Sequence, residues 1–512
     1  MEQKKNNFTP ILGCDIGNGF SKAAILEDPT QDPVYLLPDS LKVGMSSTAY
    51  VSQDGKIEVY GVKQTAGKWP VRAIKTRLAE NSIEWTDGKG RTYRAEPCKV
   101  YAAIARDLVR EANKTRKLQG KEPVYKLLLT YPADFKDRPV FLGMMKESVE
   151  SVELDGHRLE VCRMLSEPAA VAVDYEYYVR HLAQNPISAP QYTVLVYDLG
   201  DGTFDTAVVT AYANGSKDCD LICQTGDPEI GGRKFDMLIC EELEKQIRRQ
   251  LGPKIPINQE YLRSLAVDMK HELSDATYSE RFVPIGDGEA QLALTRKDFE
   301  ALIMPQIRHT LELVQSQLQE ASQKGVTVDA IVLSGGGGRI PLIRQVLQEL
   351  TENKLPVELY RPSFGVAFGA ARAAYGYQKE TDSSKGSSAD PEKPKVITQH
   401  CERSCGIRLD GKVHFLLDEA AELPCTSVKL LVGSSPDGHT DFVLRRAKNP
   451  MPNARQAENR ECEDIRHLDF DLPPNQTCSL TMKMDENRCI TLECELPNGK
   501  ILRKTTFQDN GK

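Results

Sequence analysis

The stretch YTVLVYDLGDGTFD, residues 192–205, decides the fold. Tyr192 to Leu199 is a run of β-forming residues, and it ends in a glycine-rich turn, Asp198-Leu199-Gly200-Asp201-Gly202-Thr203. Two more such turns occur. Asp15-Ile16-Gly17-Asn18-Gly19 closes ILGCDIG (11–17), and Ser334-Gly335-Gly336-Gly337-Gly338-Arg339 closes AIVLSGG (330–336). Glycine and aspartate are ordinary turn residues, so one such turn reads equally well as a tight hairpin. Three in order, each ending a strand-like run, argue against coincidence.

Outward from these turns the chain alternates strands and helices. KLLLTYPA (126–133) is another short buried run. MPQIRHTLELVQSQLQEASQKG (304–325) has helical apolar spacing with Gly325 at its C-terminal end, and PLIRQVLQEL (341–350) opens with Pro341 in a first helical turn. Buried strands beside helices predict an α/β architecture. Gln378 to Pro394 is rich in Ser, Lys, acids and Pro and reads as a tether. Beyond it the pattern has period two. Ile490, Leu492, Cys494 and Leu496 share one face, Leu480, Met482 and Met484 share another, and DENR (485–488) and PNGK (497–500) are turns. The expected domains are an α/β unit over 1–377, a linker over 378–398 and a β-sandwich over 399–512.

The chain has 512 residues, ample for large cores without disulfide or metal staples. A net charge of −7 argues against a general nucleic-acid or anionic-membrane binder. No apolar run is long enough to span a bilayer, and MEQKKNNFTP carries no secretory signal, so the expectation is a cytoplasmic protein without membrane partners. The thirteen cysteines include no CxxC pair and read as reduced, mostly buried thiols, with Cys401 and Cys405 as a loose metal-pair candidate.

The turns suit polyphosphate. Glycines allow close backbone approach, and successive N–H groups form anion-binding nests. An aspartate at a strand end can hold a Mg²⁺ that bridges to phosphate. Asp15 and Asp198 would then let two lobes grip one ligand. No GxxxxGK[ST] loop occurs, and Gly17-Asn18-Gly19 lacks the third glycine of a dinucleotide fingerprint.

With those motifs in view, the first 377 residues resemble the heat-shock-70 chaperone family of the actin-like ATPase superfamily. YDLGDGTFD resembles its second phosphate loop, GDPEIGGRKFD (226–236) its GD-xx-LGG-xx-FD segment, SEPAAVAVDY (166–175) its connecting motif, IVLSGGGGRIP (331–341) its adenosine loop, and RAIKTRL (72–78) the stretch with its catalytic lysine. The resemblance implies a two-lobed ATPase with ATP or ADP and Mg²⁺ between the lobes. Asp15 and Asp198 would hold the metal shell. Gly17, Asn18, Gly19, Gly200, Asp201, Gly202 and Thr203 would cradle phosphates. Lys75 would face the γ-phosphate, and Glu167 and Asp205 would orient water. Gly231 and Gly232 would line the phosphate or ribose side, with Lys270, Ser274, Gly335, Gly336 and Arg339 around the adenosine. It also implies peptide or protein clients, a J-domain co-chaperone and a nucleotide-exchange factor. SCGIRL (404–409), LPCT (423–426), DGHTDF (437–442) and DFDLPPN resemble, in order, the family's peptide-binding sandwich without its helical lid.

Several residues depart from the family. Asp201 replaces a glycine, and Asn18-Gly19 stands for two threonines, as in plasmid-partitioning actin-like proteins. Pro132 matches the switch proline, but the relay arginine falls on Val140, with Arg138 nearby. Val267 and Ser363-Phe364 replace acids, and only Val396-Ile397 offers the apolar character of the family's interdomain linker. The readings left open are a chaperone ATPase, a nucleotide-gated scaffold with little hydrolysis, an actin-like filament and, last, a small-molecule kinase.

Overall fold

The computed structural model describes residues 10–505 apart from 60–67, 138, 213–218, 287, 383–396, 399–400, 402, 420, 450, 452 and 486–487. Arg138 therefore lies outside the described residues.

Two sheets of like construction form the first part. One runs Glu160–Ser166, Lys126–Tyr131, Leu12–Ile16, Phe20–Ile25, Val34–Tyr35, with Met45–Ser46 also on Phe20–Ile25. The other runs Val357–Leu359, Ala330–Ser334, Gln191–Leu199, Phe204–Tyr212, Cys219–Asp227, Ile397–Thr398. In each, a buried strand carrying an aspartate near its end pairs antiparallel with the next strand and parallel with a later one. The turns 17–19 and 200–203 are thus hairpin turns, and the hairpin reading and the ligand reading describe the same backbone. The third glycine turn differs, leading from Ala330–Ser334 through a short 3₁₀ turn into helix Pro341–Leu350.

Apolar stripes fix the helices. Pro97–Leu118 buries Val100, Ile104, Leu108 and Ala112 at helical spacing against the first sheet's core. The helix expected over 304–325 begins earlier, at Arg296, because Thr295 and Asp298 form a capping box ahead of it, and Pro305 sits inside. Gly325 follows its end with φ +73°.

Helices Glu167–Tyr177 and Gly365–Asp382 cross between the sheets. A Cβ on Gly369 would lie 1.7 Å from the Ala170 carbonyl oxygen, and one on Gly13 would lie 2.3 Å from the Ala371 nitrogen. Only glycine allows backbones to approach so closely.

Regular structure enters the expected linker at both ends. Helix Gly365–Asp382 continues past Tyr377, and Ile397–Thr398 pairs in parallel with Cys219–Asp220 at the edge of the second sheet. The polar composition that reads as a tether hides a helical end, and two residues are too short a run to read as a strand.

The C-terminal part packs two five-stranded sheets around one core. Ile407, Leu444 and Phe470 from one meet Leu480, Met482 and Leu492 from the other. The inward faces read from sequence are buried, Cys494 included. All thirteen cysteines are present as thiols, nine buried and four half-buried. Among the described residues no three metal-ligating side chains group together, so the Cys401–Cys405 pair builds no metal cage. Among them, too, no helix is long and apolar enough to cross a membrane.

Gly369→Ala should lower stability by about 3 kcal/mol or more, since the crossing cannot open without displacing two helices. Gly88→Ala, with nothing near its Cβ, should stay within about 0.5 kcal/mol. Denaturant melts of both variants check this, and equal midpoints would refute it.

Candidate functional site: a cleft between two glycine turns

The turns meet across a cleft of about 490 Å³, within the range of small-molecule sites. A Cβ on Gly19 would strike the Asp201 side chain, and one on Gly202 would strike Arg233 and Asn18. The two hairpin tips therefore touch, one from each sheet. Behind the second tip, the Gly232 and Arg233 N–H groups donate to the carbonyls of Gly200 and Asp201 at 2.9 and 2.8 Å. A Cβ on Gly231 would lie 2.7 Å from the Asp201 oxygen.

Of the sequence-predicted residues, Asp15, Gly17, Asn18, Gly19, Lys75, Glu167, Asp198, Gly200, Asp201, Gly202, Thr203, Gly232, Lys270, Ser274, Gly335, Gly336 and Arg339 line this cleft. Asp205 and Gly231 do not. Asp205 sits one layer back, accepting from the Ala133 N–H at 2.5 Å and the Thr203 hydroxyl at 2.8 Å. Gly231 backs the second turn. Both stand behind the lining rather than in it.

Lys75 is the central cation. It lies on a short 3₁₀ turn, is 2% exposed, and its Nζ is 2.5 Å from Glu167 Oε1. Glu167 is the first residue of helix Glu167–Tyr177 and also faces that helix's positive end. The helix-start reading and the ion-pair reading both hold. Burial works against the Lys75 charge, but Glu167, Asp15 and Asp205 outweigh it and raise its pKa. Burial pushes Glu167 up, against Lys75 and aided by Asp15. Asp198 rises to about 7, through burial and then Glu167 and Asp15. Asp205 is likewise held well above the ordinary carboxylate range, by burial, Glu167 and Asp134.

Of the three lysines on the cleft wall, Lys75 and Lys22 stand beside these acids, the latter 3.2 Å from Asp15, while Lys270 is paired with Asp236. Sequence reading missed Lys22, although the hairpin register sets it directly opposite Asp15. Asp15, Glu167 and Asp198 thus outnumber the two cations. That excess suits a divalent cation held by one or two carboxylates with water and phosphate supplying the rest, and needs no three-residue cage. Asp201 does not add to the excess, because Arg233 Nε lies 3.2 Å from its carboxylate.

The far side of the cleft belongs to the second sheet's helices. Lys270 Nζ is 2.7 Å from Asp236 Oδ1 and donates to the Gly232 carbonyl at 3.1 Å. Ser274 follows one turn on, with its hydroxyl on the Lys270 carbonyl. His271 and Asp275 join this wall, while Val267 does not. Gly335 takes φ +72°, and a Cβ there would lie 2.2 Å from the Leu199 oxygen. Pro362, Ser363, Gly365 and Val366 complete the wall. Only the oddity of Ser363-Phe364 hints at them in the sequence.

A carboxyl with a raised folded pKa binds its proton more tightly folded than unfolded, so its contribution to stability falls as pH rises from about 4 toward 7. In ligand-free protein at pH 8, Asp198→Asn should raise the melting temperature by about 2–4 °C. The gain should shrink toward pH 5. Thermal melts across pH check this, and a lower or pH-independent melting temperature would contradict it.

Comparison with known proteins agrees with the geometry. The Hsp70 protein family matches residues 55–384. A chaperone protein DnaK of Burkholderia cepacia is 27% identical over 398 residues, an alignment taking in 70% of this chain and 58% of that relative. The chain thus spans little more than half the length of that protein. A family match over more than half of the chain, reaching from ahead of the buried lysine to beyond the third glycine turn, makes it a member of the Hsp70 family.

Proposed function

We propose that the chain is a Mg²⁺-dependent ATPase of chaperone type that couples nucleotide in the cleft to its β-sandwich. The observation that carries this reading is Lys75, buried among Glu167, Asp15 and Asp198 where two glycine turns meet. Phosphoryl transfer asks for positioning and for charge placed where the oxyanion develops. Lys75 supplies a compact fixed ammonium, held in place by Glu167. The backbone N–H groups of the two turns cradle phosphate oxygens. Asp205 fixes the Thr203 side chain at the second turn through that hydroxyl, and Glu167 orients the attacking water. Asp15 and Asp198 would hold Mg²⁺, which neutralises phosphate charge when bound. Lys270, Ser274, Gly335, Gly336 and Arg339 would take the adenosine.

Two contacts support coupling. The Ala133 N–H, just after Pro132, donates to Asp205, which ties the switch segment to the site. Ile397–Thr398 docks on strand Cys219–Asp227, whose neighbour Phe204–Tyr212 leads directly from the cleft. The sandwich would bind extended peptide or a protein client, and J-domain and exchange-factor partners belong to the same reading.

One observation favours slow catalysis. The Asp201 carboxylate wedges against Gly19 at the contact of the two tips, so a phosphate must share that space with an acid. A nucleotide-gated scaffold is the second reading on this ground.

Single-turnover hydrolysis of Mg²⁺-ATP, with and without an unfolded peptide, tests the proposal. Lys75→Ala and Asp198→Ala should each slow hydrolysis by about 100-fold or more, and near-wild-type rates would remove the site. Peptide should accelerate the wild type. Replacing both Ile397 and Thr398 by proline, which leaves the edge strand no N–H to donate, should abolish that acceleration and leave basal hydrolysis in place. Tight binding of ATP with hydrolysis indifferent to peptide would select the scaffold.

A further inference from the structure

Behind the nucleoside wall of the cleft lies an ion network that the proposed chemistry does not use. Arg372 is 1% exposed and Asp174 fully buried. Arg372 Nε bonds Asp174 Oδ1 at 2.7 Å, and its other arm reaches Asp32 Oδ1 at 2.9 Å. Arg361 reaches Asp32 Oδ2 at 2.7 Å and Asp174 Oδ2 at 3.3 Å. The Tyr360 hydroxyl donates to Asp174 at 2.8 Å. Two acids and two guanidiniums balance, so the network is neutral as a whole.

Its members come from different bodies. Asp32 lies between strands Phe20–Ile25 and Val34–Tyr35 and moves with the first sheet. Asp174 and Arg372 sit on the two crossing helices. Tyr360 and Arg361 follow strand Val357–Leu359 of the second sheet and lead straight into Pro362 and Ser363 on the cleft wall. Arg361 is also a corner. It takes φ +38°, and its carbonyl accepts from the Phe364 and Gly365 N–H groups at 2.9 and 2.8 Å. Phe364 meets Tyr35 of the first sheet edge-on, with ring centroids 5.0 Å apart. Arg361 and Phe364 therefore reach the first lobe through Asp32 and Tyr35, ahead of the packing of helix Gly365–Asp382 on Ala24 and Leu26.

We propose that Asp32 and Arg361 are positioning residues that clamp the nucleoside wall to the first lobe and thereby set how long nucleotide stays bound. This rests on the reading of the cleft as a nucleotide site. Opening the lobes about the crossing helices carries Asp32 away from Arg361, while Arg372 stays near Asp32 because its helix packs on Gly13, Ala24 and Leu26. Arg372 keeps Asp174 and the Tyr177 ring, whose centroid is 3.6 Å from its guanidinium carbon, and stays in place. Arg361, the more exposed of the two, loses its outer partner, and Pro362 and Ser363 move off with the second-sheet strand Val357–Leu359. Neither residue touches the phosphate turns, so the chemical step is unaffected.

The test uses the full chain and ADP labelled on its ribose with a methylanthraniloyl group, chased with unlabelled ADP. Asp32→Asn should release the label about tenfold faster. Its single-turnover ATP hydrolysis should stay within about twofold of wild type, because only the gate has changed. Asp32→Glu should restore slow release. Arg361→Gly, which tolerates the positive φ, should release as fast as Asp32→Asn and guards against a folding artefact in one variant. Wild-type release rates in Asp32→Asn would overturn the clamp alone. Parallel loss of hydrolysis and release control with a lowered melting temperature would assign the network a purely structural role and overturn it as well. A wild type that binds no labelled ADP would overturn both the clamp and the nucleotide reading.

Discussion

Helices Glu167–Tyr177 and Gly365–Asp382 pass each other with no side chain between their backbones at Gly369 and Ala170. Because the crossing is bare, both helices can start at the cleft. Glu167 opens the first and Gly365 the second, and both line it. Two positive helix ends thus face one space from a shared fulcrum. The same crossing sits between the two sheets, so it fixes the distance over which the hairpin tips can meet. A wider crossing would part Asn18 from Gly202 and draw Glu167 off Lys75.

The acids of the cleft are costly to hold together. Burial and mutual repulsion push Glu167, Asp198 and Asp205 upward together. Lys75 answers part of that charge and Lys22 another part. A buried ion pair recovers little net stability once desolvation is counted. Such an arrangement makes sense as one ready for added positive charge, which is how functional sites come to carry perturbed carboxylates.

Much of this is legible in the sequence, and the reason is local. Each glycine turn is contiguous with the strand it ends, so pattern and chemistry sit in one string of residues. Lys75 and Glu167 come from motifs, and Lys270 from the family resemblance, rather than from spacing. What stays hidden depends on pairing. Lys22 is placed by hairpin register. Asp205 reads as a water-orienting acid because nothing in the sequence shows that Ala133 and Thr203 occupy it. Asp32, Asp174 and Arg372 are far apart in the chain and inconspicuous in composition, and only the crossing brings them together. The early start of helix Arg296–Gln323 is readable in Thr295 and Asp298, but Pro305 masks it by looking like a boundary.

The cysteines carry a separate consequence. Thiolate, not thiol, reacts with electrophiles, and burial suppresses it. Cys14 and Cys489 are pushed far up, Cys494 to about 12, and Cys162 and Cys425 to about 11. The buried thiols of the folded chain are accordingly slow to alkylate, and each becomes a clock for the breathing of its own neighbourhood. Cys14 times the strand beneath the cleft, Cys219 and Cys223 the sheet edge where Ile397–Thr398 pairs, and the seven from Cys401 onward the sandwich. Mass shifts on these native residues would separate the local openings of three regions without any introduced probe.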